Sequence, residues 1–300
     1  MPLPYRRILV ALDGSEESKA GLAKGIETAL AYGSTLALCH IVDYHSIKEL
    51  RKQYPDLMLH ALNKLGSAII TEGKETAENA GIHNVRIFIK EGLPKTIIAG
   101  DIAQSFQPDL IISGGSGAGS SEKKRFGSVS AGIVRRASCD VWIVKNSDPS
   151  AVYHSVLIAV DGSDVSKSAF YAGLSMAQKH QSRAQVIYVL NTQSLSSLEP
   201  YTNDLKDVYK ERADELLQEY QVLSDAENHG LQSVHYSVEY GTPKTVIPGE
   251  AAGKYQTDLI VAGASGMGRT QRFILGSVSE STVRRASCDV LVVRNQHHPE

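Results

Sequence analysis

Residues 263–277 read GASGMGRTQRFILGS, and residues 114–128 read GGSGAGSSEKKRFGS. Both obey the spacing G-x-x-G-x9-G-S. Each opens at the end of an apolar, β-branched run, DLIVAGA or DLIISGG, and leads into a helix-like segment, SVSESTVRRAS or SVSAGIVRRAS. Glycine lets a backbone come close to a ligand and adopt positive φ. A helix N-terminus offers unpaired N–H groups and a partial positive charge, which suits phosphate. The two glycine clusters therefore read as the two lips of an anion site at a strand end, with the nine intervening residues as a flap. Ser128 and Ser277 are expected to cap the helices and reach a phosphate oxygen.

The motif occurs twice because the chain is a duplication. The run from Asp109 to Lys145 aligns without a gap on Asp258 to Arg294, with 20 of 37 positions identical. RILVALDGSEESKAGLAKGIETA from Arg7 likewise parallels SVLIAVDGSDVSKSAFYAGLSMA from Ser155. A period of about 149 residues is too long for a solenoid repeat, so each copy is expected to be a whole domain. The polar stretch NSDPSAVYH, Asn146 to His154, reads as the linker. This places domain 1 at 1–147 and domain 2 at 152–300.

Each copy alternates strand and helix signals. RILVALD and SVLIAVD are buried-strand runs that end in a tight Asp-Gly-Ser exit. A helix follows in the first copy with Ala20, Ala23, Ile26 and Leu30 on one face and Gly33 as its stop. TLALCHIVD and AQVIYVLN are second strands. A long helix comes next, with a stripe of Leu205, Val208, Tyr209, Leu216, Tyr220 and Leu223 in the second copy. In the first copy the stripe is Ile47, Leu50, Tyr54, Leu57, Ala61, Leu65 and Ala68, which Pro55 should break or kink. VRIFIKEG and VHYSVEYG are third strands. The segments starting PKT are helices with Pro in the first turn. DVWIVK and DVLVVR are fifth strands. The alternation predicts an α/β fold with a mostly parallel sheet covered on both faces.

Composition restricts the function classes. Apolar residues are 42% and charged residues 21%, as in a soluble globular protein. A net charge of −2 gives no general drive toward nucleic acid or an anionic membrane. No apolar run approaches the roughly 18–20 residues of a membrane span, and the first residues lack signal-peptide character. The three cysteines, Cys39, Cys139 and Cys288, have no metal-ligand spacing. They read as small buried hydrophobes in a reducing cytoplasm.

Other phosphate motifs are absent from the sequence. There is no G-x-x-x-x-G-K-[ST], and no G-x-G-x-x-G follows the first strand. With V-x-D-G-S after the first strand and G-x-x-G-x9-G-S after the fourth, both copies resemble the universal stress protein family in its ATP-binding form. The resemblance covers nearly the whole chain, twice. It implies two Rossmann-like (adenine nucleotide alpha hydrolase-like) domains, each a five-stranded parallel sheet of order 3-2-1-4-5 with helices on both faces. It implies ATP, or AMP or ADP, in the cleft, with Mg²⁺ or Mn²⁺ held through the phosphates and no protein metal ligand.

Carried over by position, the first site comprises Ala11 and Asp13, Ile41, Ser113 and Gly114, Gly117, and Gly127, Ser128 and Val129. The second comprises Ala159 and Asp161, Val189, Ala262 and Gly263, Gly266, and Gly276, Ser277 and Val278. Asp13 and Asp161 read either as turn caps or as contacts to ribose, adenine or metal-bound water. No catalytic dyad or triad surrounds the loops. A regulatory, stress-responsive nucleotide-binding module is therefore expected. The alternatives are a nucleotide-free dimerisation scaffold and a weak ATPase or autokinase.

The partner expected first is adenine nucleotide, with no nucleic acid and no membrane. The second is intramolecular, because the fifth strands end each domain at a sheet edge, and an apolar edge demands cover. A linker of eight to ten residues reaches up to roughly 30 Å, enough for Val141–Lys145 to lie against Asp289–Arg294. A homodimer of whole chains is a further possibility. If the domains pair, separately expressed 1–147 and 152–300 will associate, and Trp142 fluorescence will change on mixing. Two stable monomers with no mutual affinity would refute the pairing.

Overall fold

The computed structural model describes residues 5–44, 54–116, 127–192, 202–227, 231, 233–266 and 275–294. The chain forms two compact units, one of Pro4–Ala151 and one that contains Val152–Glu300. In the first unit the order is β1 (Arg7–Ala11), α1 (Glu16–Tyr32), β2 (Thr35–Val42), α2 (Pro55–Asn79), β3 (Arg86–Glu91), α3 (residues 94–106), β4 (Leu110–Gly114), α4 (Ser128–Arg136) and β5 (Asp140–Val144). The second unit repeats it as β6 (Ser155–Val160), α5 (Asp164–His180), β7 (Arg183–Leu190), α6 (Thr202–Glu227), β8 (Val234–Tyr240), α7 (residues 243–254), β9 (Leu259–Gly263), α8 (Ser277–Arg285) and β10 (Asp289–Val293).

Within the first unit the strand order is β3-β2-β1-β4-β5, and within the second it is β8-β7-β6-β9-β10. All pairings inside each unit are parallel. Every residue of β4 and β5 is buried, and β9 is buried up to Gly263. Strands buried on both faces are what the unbroken apolar runs require. The order 3-2-1-4-5 puts the topological switch between β1 and β4, and between β6 and β9, which is where such sheets leave a crevice.

Helices α1, α2 and α5 stand on their sheets through glycine. A Cβ at Gly25 of α1 would lie 2.7 Å from Val10 Cγ2, and one at Gly173 of α5 would lie 2.5 Å from Ile158 Cγ1. A Cβ at Gly66 of α2 would lie 2.7 Å from His40 Cδ2, and one at Gly73 2.7 Å from Leu12 Cδ1. This overturns the stripe expected on α2. Its buried positions are Gly66, Ile70, Gly73 and Ala77, whereas Leu57, Ala61, Leu65 and Ala68 face outward. Small residues win the contact face because close backbone approach buries more of the neighbouring strands than bulky side chains permit. Pro55 does not kink the helix but starts it at the first position, where its missing N–H costs nothing. Ile47 and Leu50 lie outside the described residues.

Two smaller corrections follow the same rule. Leu30 is exposed at the end of α1, whose buried face instead takes in Gly21, Leu22, Gly25 and Ala29. Val208 and Tyr209 of α6 are exposed, and burial begins at Ala213 and continues through Leu217 and Tyr220. The side chain of Leu205 lies outside the described residues.

The base of each sheet carries a duplicated polar clasp. The Tyr5 hydroxyl donates to Asp140 Oδ2 at 2.9 Å, and Tyr153 does the same to Asp289 Oδ2 at 2.5 Å. Burial, then the Asp140 carboxylate, pushes the Tyr5 phenol well above its ordinary value. Asp109 Oδ2 accepts from the Arg6 and Arg7 amides, and Asp258 Oδ2 from those of His154 and Ser155. Cys39 and Cys139 are buried and Cys288 half-buried, all as free thiols; burial pushes the Cys39 thiol up to about 12. Among the described residues no helix is long and apolar enough to cross a membrane.

Gly173→Val should cost about 1–3 kcal/mol, the usual penalty for overpacking a core contact. Chemical denaturation of the variant beside the parent chain checks this. An unchanged midpoint would mean that α5 does not depend on the close approach to Ile158.

Candidate functional site

In the second unit the register sets Ala159 of β6 between Ile187 of β7 and Ala262 of β9. Just beyond this level the strands end, and a cavity of about 330 Å³ opens. All nine positions chosen from the second copy line it: Ala159, Asp161, Val189, Ala262, Gly263, Gly266, Gly276, Ser277 and Val278. The volume is at the small end of the roughly 300–1,000 Å³ typical of ligand pockets.

The Asp-Gly-Ser turn explains how β6 hands over to α5. Gly162 takes φ +85°, a left-handed conformation that side chains resist. Asp161 Oδ1 accepts from the Ser163 amide at 3.0 Å and from its hydroxyl at 2.6 Å. Ser163 Oγ in turn accepts from the Ser166 amide at 3.2 Å and so caps α5. The first unit repeats this arrangement with Asp13, Gly14 at φ +84°, Ser15 and Ser18. Asp13 and Asp161 are thus turn caps through Oδ1. Asp161 also lines the cavity, with Oδ2 against the place where a Cβ on Gly266 would stand.

That contact revises the reason for the loop glycines. The residues with positive φ include Gly14 and Gly162 but not Gly114, Gly263, Gly266 or Gly276. Gly127 and Gly276 have φ −66°. Close packing rather than left-handed backbone favours glycine at 114, 263, 266 and 276. A Cβ at Gly263 would meet Val165 Cγ1 at 2.9 Å, and one at Gly276 would meet Ala264 O at 3.2 Å. Gly117 and the flap residues 118–126 and 267–274 lie outside the described residues.

The serines are also reassigned. Gly127 and Gly276 occupy the N-cap positions, so Ser128 and Ser277 are the first helical residues and make no side-chain cap. Both are exposed. The serine two places on does the anchoring. Ser130 Oγ donates to Gly114 O, and Ser279 Oγ to Gly263 O, each at 2.5 Å. The Gly127 amide donates to Gly115 O at 2.8 Å and the Gly276 amide to Ala264 O at 2.6 Å. These bonds hold the start of α4 against the end of β4, and the start of α8 against the end of β9.

Two sequence blocks account for this architecture. The universal stress protein family's sequence profile matches residues 4–145 and again 153–294. The chain belongs to the universal stress protein family. A relative from Staphylococcus aureus (strain USA300) that bears the family name is 40% identical over 147 residues, 49% of this chain and 87% of its own. In three dimensions the chain is similar to a universal stress protein from Archaeoglobus fulgidus, with a TM-score of 0.67, 20% identity, and coverage of 97% of this chain and 98% of that one. A Pseudomonas aeruginosa member gives 0.64 at 21% identity, covering 96% and 93%. At those identities the likeness establishes the fold, in tandem.

This universal stress protein lines its second cleft with further residues that the motif did not single out. Pro243 and Ile247 come from α7, which loosens into a π-helical turn over Val246–Ala251; the first unit does the same over Ile98–Ile102. Ser265 and Ser279 come from the loop and α8. Pro243 and Ser279 were findable, since PKT and GSVS stand in both copies. Ser166 was findable in the same way, since D-G-S-x-x-S-K stands in both copies, whereas Tyr188 aligns with His40 of the first copy and carries no such sign. Ser166 Oγ shares a hydrogen bond of 2.9 Å with the Tyr220 hydroxyl. Burial pushes the Tyr220 phenol up to about 12, and burial with the Asp161 charge raises Tyr188.

In the first unit Ala11 stands between Cys39 and Ser113 in register. Ile41, Ser113 and Gly114 are buried, while Asp13 and Ser128 are exposed and Val129 half-buried. Ser113 Oγ lies 3.3 Å from Ser130 Oγ. His40 sits on the rim, with Nδ1 2.8 Å from Leu12 O.

Proposed function

We propose that this chain is a stress-response regulatory protein that binds ATP at the ends of β6 and β9, and at the equivalent place in the first unit. The observation that carries the reading is the convergence of nine motif positions on one 330 Å³ cavity beside the N-terminus of α8. The apolar half of that cavity, Ile187, Val189 and Ile247, suits a purine base. The other half, Gly263, Gly266, Gly276 and Ser277, presents bare backbone and helix N–H groups suited to phosphate. Membership of the universal stress protein family supports the same ligand class. Occupancy then acts by favouring one arrangement of the loops over another, as any ligand with differential affinity does.

The site as built binds rather than transforms its ligand. Asp161 Oδ1 is engaged by Ser163, and none of the described lining residues is a histidine, lysine or arginine. Hydrolysis, if measured, is expected to be slow and incidental to binding.

Gly276→Val should abolish ATP binding at the second site, because a branched side chain at that N-cap meets the Ala264 carbonyl and fills the phosphate half. Gly127→Val should do so at the first. Calorimetry on each single variant and on the double variant checks this. Undiminished ATP affinity in the double variant, with an unchanged melting profile, would show that these loops do not hold the nucleotide.

The lack of cations among the described lining residues gives a second expectation. Backbone N–H groups offset only part of a triphosphate's charge, so Mg²⁺ or Mn²⁺ should strengthen binding by meeting the remainder. Titrations in Mg²⁺ and in excess EDTA should differ clearly in ATP affinity and little in adenosine affinity. Equal ATP affinity in both buffers would overturn the charge argument.

A further inference from the structure

The duplication supplies an internal control for the anion site, and among the positions where the two copies differ beside it, one changes an apolar side chain for a carboxylate. In the second unit Val165, in the first turn of α5, packs its Cγ1 against the backbone at Gly263. Its counterpart in α1 is Glu17, whose Cβ stands 3.2 Å from where a Cβ on Gly114 would be. The Glu17 carboxylate then reaches along the loop, and its Oε1 accepts a hydrogen bond from Ser116 Oγ at 2.5 Å. Ser116 is the counterpart of Ser265, which lines the cavity of the second unit. A carboxylate therefore lies on the glycine loop of the first unit, where the second has an isopropyl group.

Helix formation does not account for this acid. The first-turn charge that complements the helix dipole is already supplied by Glu16 in α1 and by its counterpart Asp164 in α5. Glu17 is an additional negative charge, half-buried and turned toward the strand end. Two like charges a few ångströms apart at a protein surface repel, and the cost grows with each added phosphate charge.

We propose that Glu17 is a specificity-determining residue that makes the two sites unequal. It disfavours polyphosphate at the first site, which takes adenosine or a singly phosphorylated adenine nucleotide, while the second takes the triphosphate. The inference rests on the nucleotide reading above and adds to it a discrimination by ligand charge. It also reduces the hydroxyl available to a ligand, because Ser116 already donates to the carboxylate.

The test reads each site alone in the full chain. Gly276→Val silences the second site and leaves the first, and Gly127→Val does the reverse. In the Gly276→Val background, Glu17→Val should raise Mg·ATP affinity by on the order of tenfold, with adenosine affinity unchanged. Glu17→Gln should recover most of that gain, because charge rather than the Ser116 bond is the obstacle. In the Gly127→Val background, Val165→Glu should lower Mg·ATP affinity by a similar factor and spare adenosine. Thermal melting establishes that each variant is folded. If Glu17→Val leaves ATP affinity unmoved, or shifts ATP and adenosine together, charge discrimination by Glu17 is wrong while nucleotide binding stands. If neither ligand binds in either background or in the parent chain, the nucleotide reading itself fails, and the inference falls with it.

Discussion

The start of the last helix in each unit is tied to the exit of the fourth strand, and the cleft depends on that tie. Two bonds make it: an N-cap amide to a loop carbonyl, and a serine hydroxyl to the last strand carbonyl. In the second unit these are Gly276 N to Ala264 O at 2.6 Å and Ser279 Oγ to Gly263 O at 2.5 Å. They close the loop between residues 264 and 276 on itself, at a modest entropic cost because closure grows only slowly with loop length. Without them the N-terminus of α8 would not face the end of β9. Gly266 and Gly276 would then not share one cavity. The neighbouring register Ala159–Ala262 fixes the other wall, so the site is a consequence of strand pairing plus two local bonds.

Much of this was legible in the sequence, for physical reasons. Buried parallel strands must be unbroken apolar runs, which marked the first, second, fourth and fifth strands of each copy, while alternation marked β3 and β8, which are largely unburied. The order 3-2-1-4-5 was implied by the family resemblance and is present in each unit. Of the nine cavity positions, Gly263, Gly266, Gly276 and Ser277 belong to a spacing that occurs twice, and the other five were implied by the family resemblance. What misled was the treatment of glycine and serine as types rather than positions. The loop glycines were expected to need positive φ, yet Gly276 is at −66°, and a Cβ there would press on Ala264 O at 3.2 Å. Ser277 was expected to cap, yet the capping geometry belongs to the residue before it. The α2 stripe was read from leucines, whereas the contact face is made by Gly66 and Gly73. In all three cases a close approach between backbones decided the outcome, and hydrophobic periodicity carries no record of such approaches.

The duplicated frame also shows which parts of the fold tolerate change. Below the sheet of the first unit, Phe88 and Phe106 stack edge to face at 6.0 Å with the Arg86 guanidinium over the Phe106 ring. The same places in the second unit hold Ser237, Tyr255 and His235. There Tyr255 and Lys254 donate to Glu239, and Ser237 accepts from Gln185 at 3.0 Å. Burial pushes the Glu239 carboxyl up, but the bonds from Lys254, Tyr255 and Ser237 outweigh it and hold it below its usual value. One packing is aromatic and the other a connected polar network, and the strands above them keep the same register. A polar substitution of this kind is stable only when its members satisfy one another, which the second network does.

The region around the glycine loops has less freedom, and that gives single charges leverage there. The described lining of the cleft, without lysine or arginine, would offer a phosphate N–H dipoles rather than side-chain cations. Dipoles fall off faster with distance than a charge does, so a fixed carboxylate at the rim competes effectively with them. Position 17 can carry such a charge because it sits at the first turn of α1, outside the packed contacts of Gly21 and Gly25 with Ile112 and Val10. The helix keeps its cap through Ser15 and its first-turn acid through Glu16. Ligand preference can therefore change at that position while the strand pairing, the cap and the two loop bonds stay as they are. This separation lets two copies of one fold, joined in one chain, hold sites of different charge selectivity.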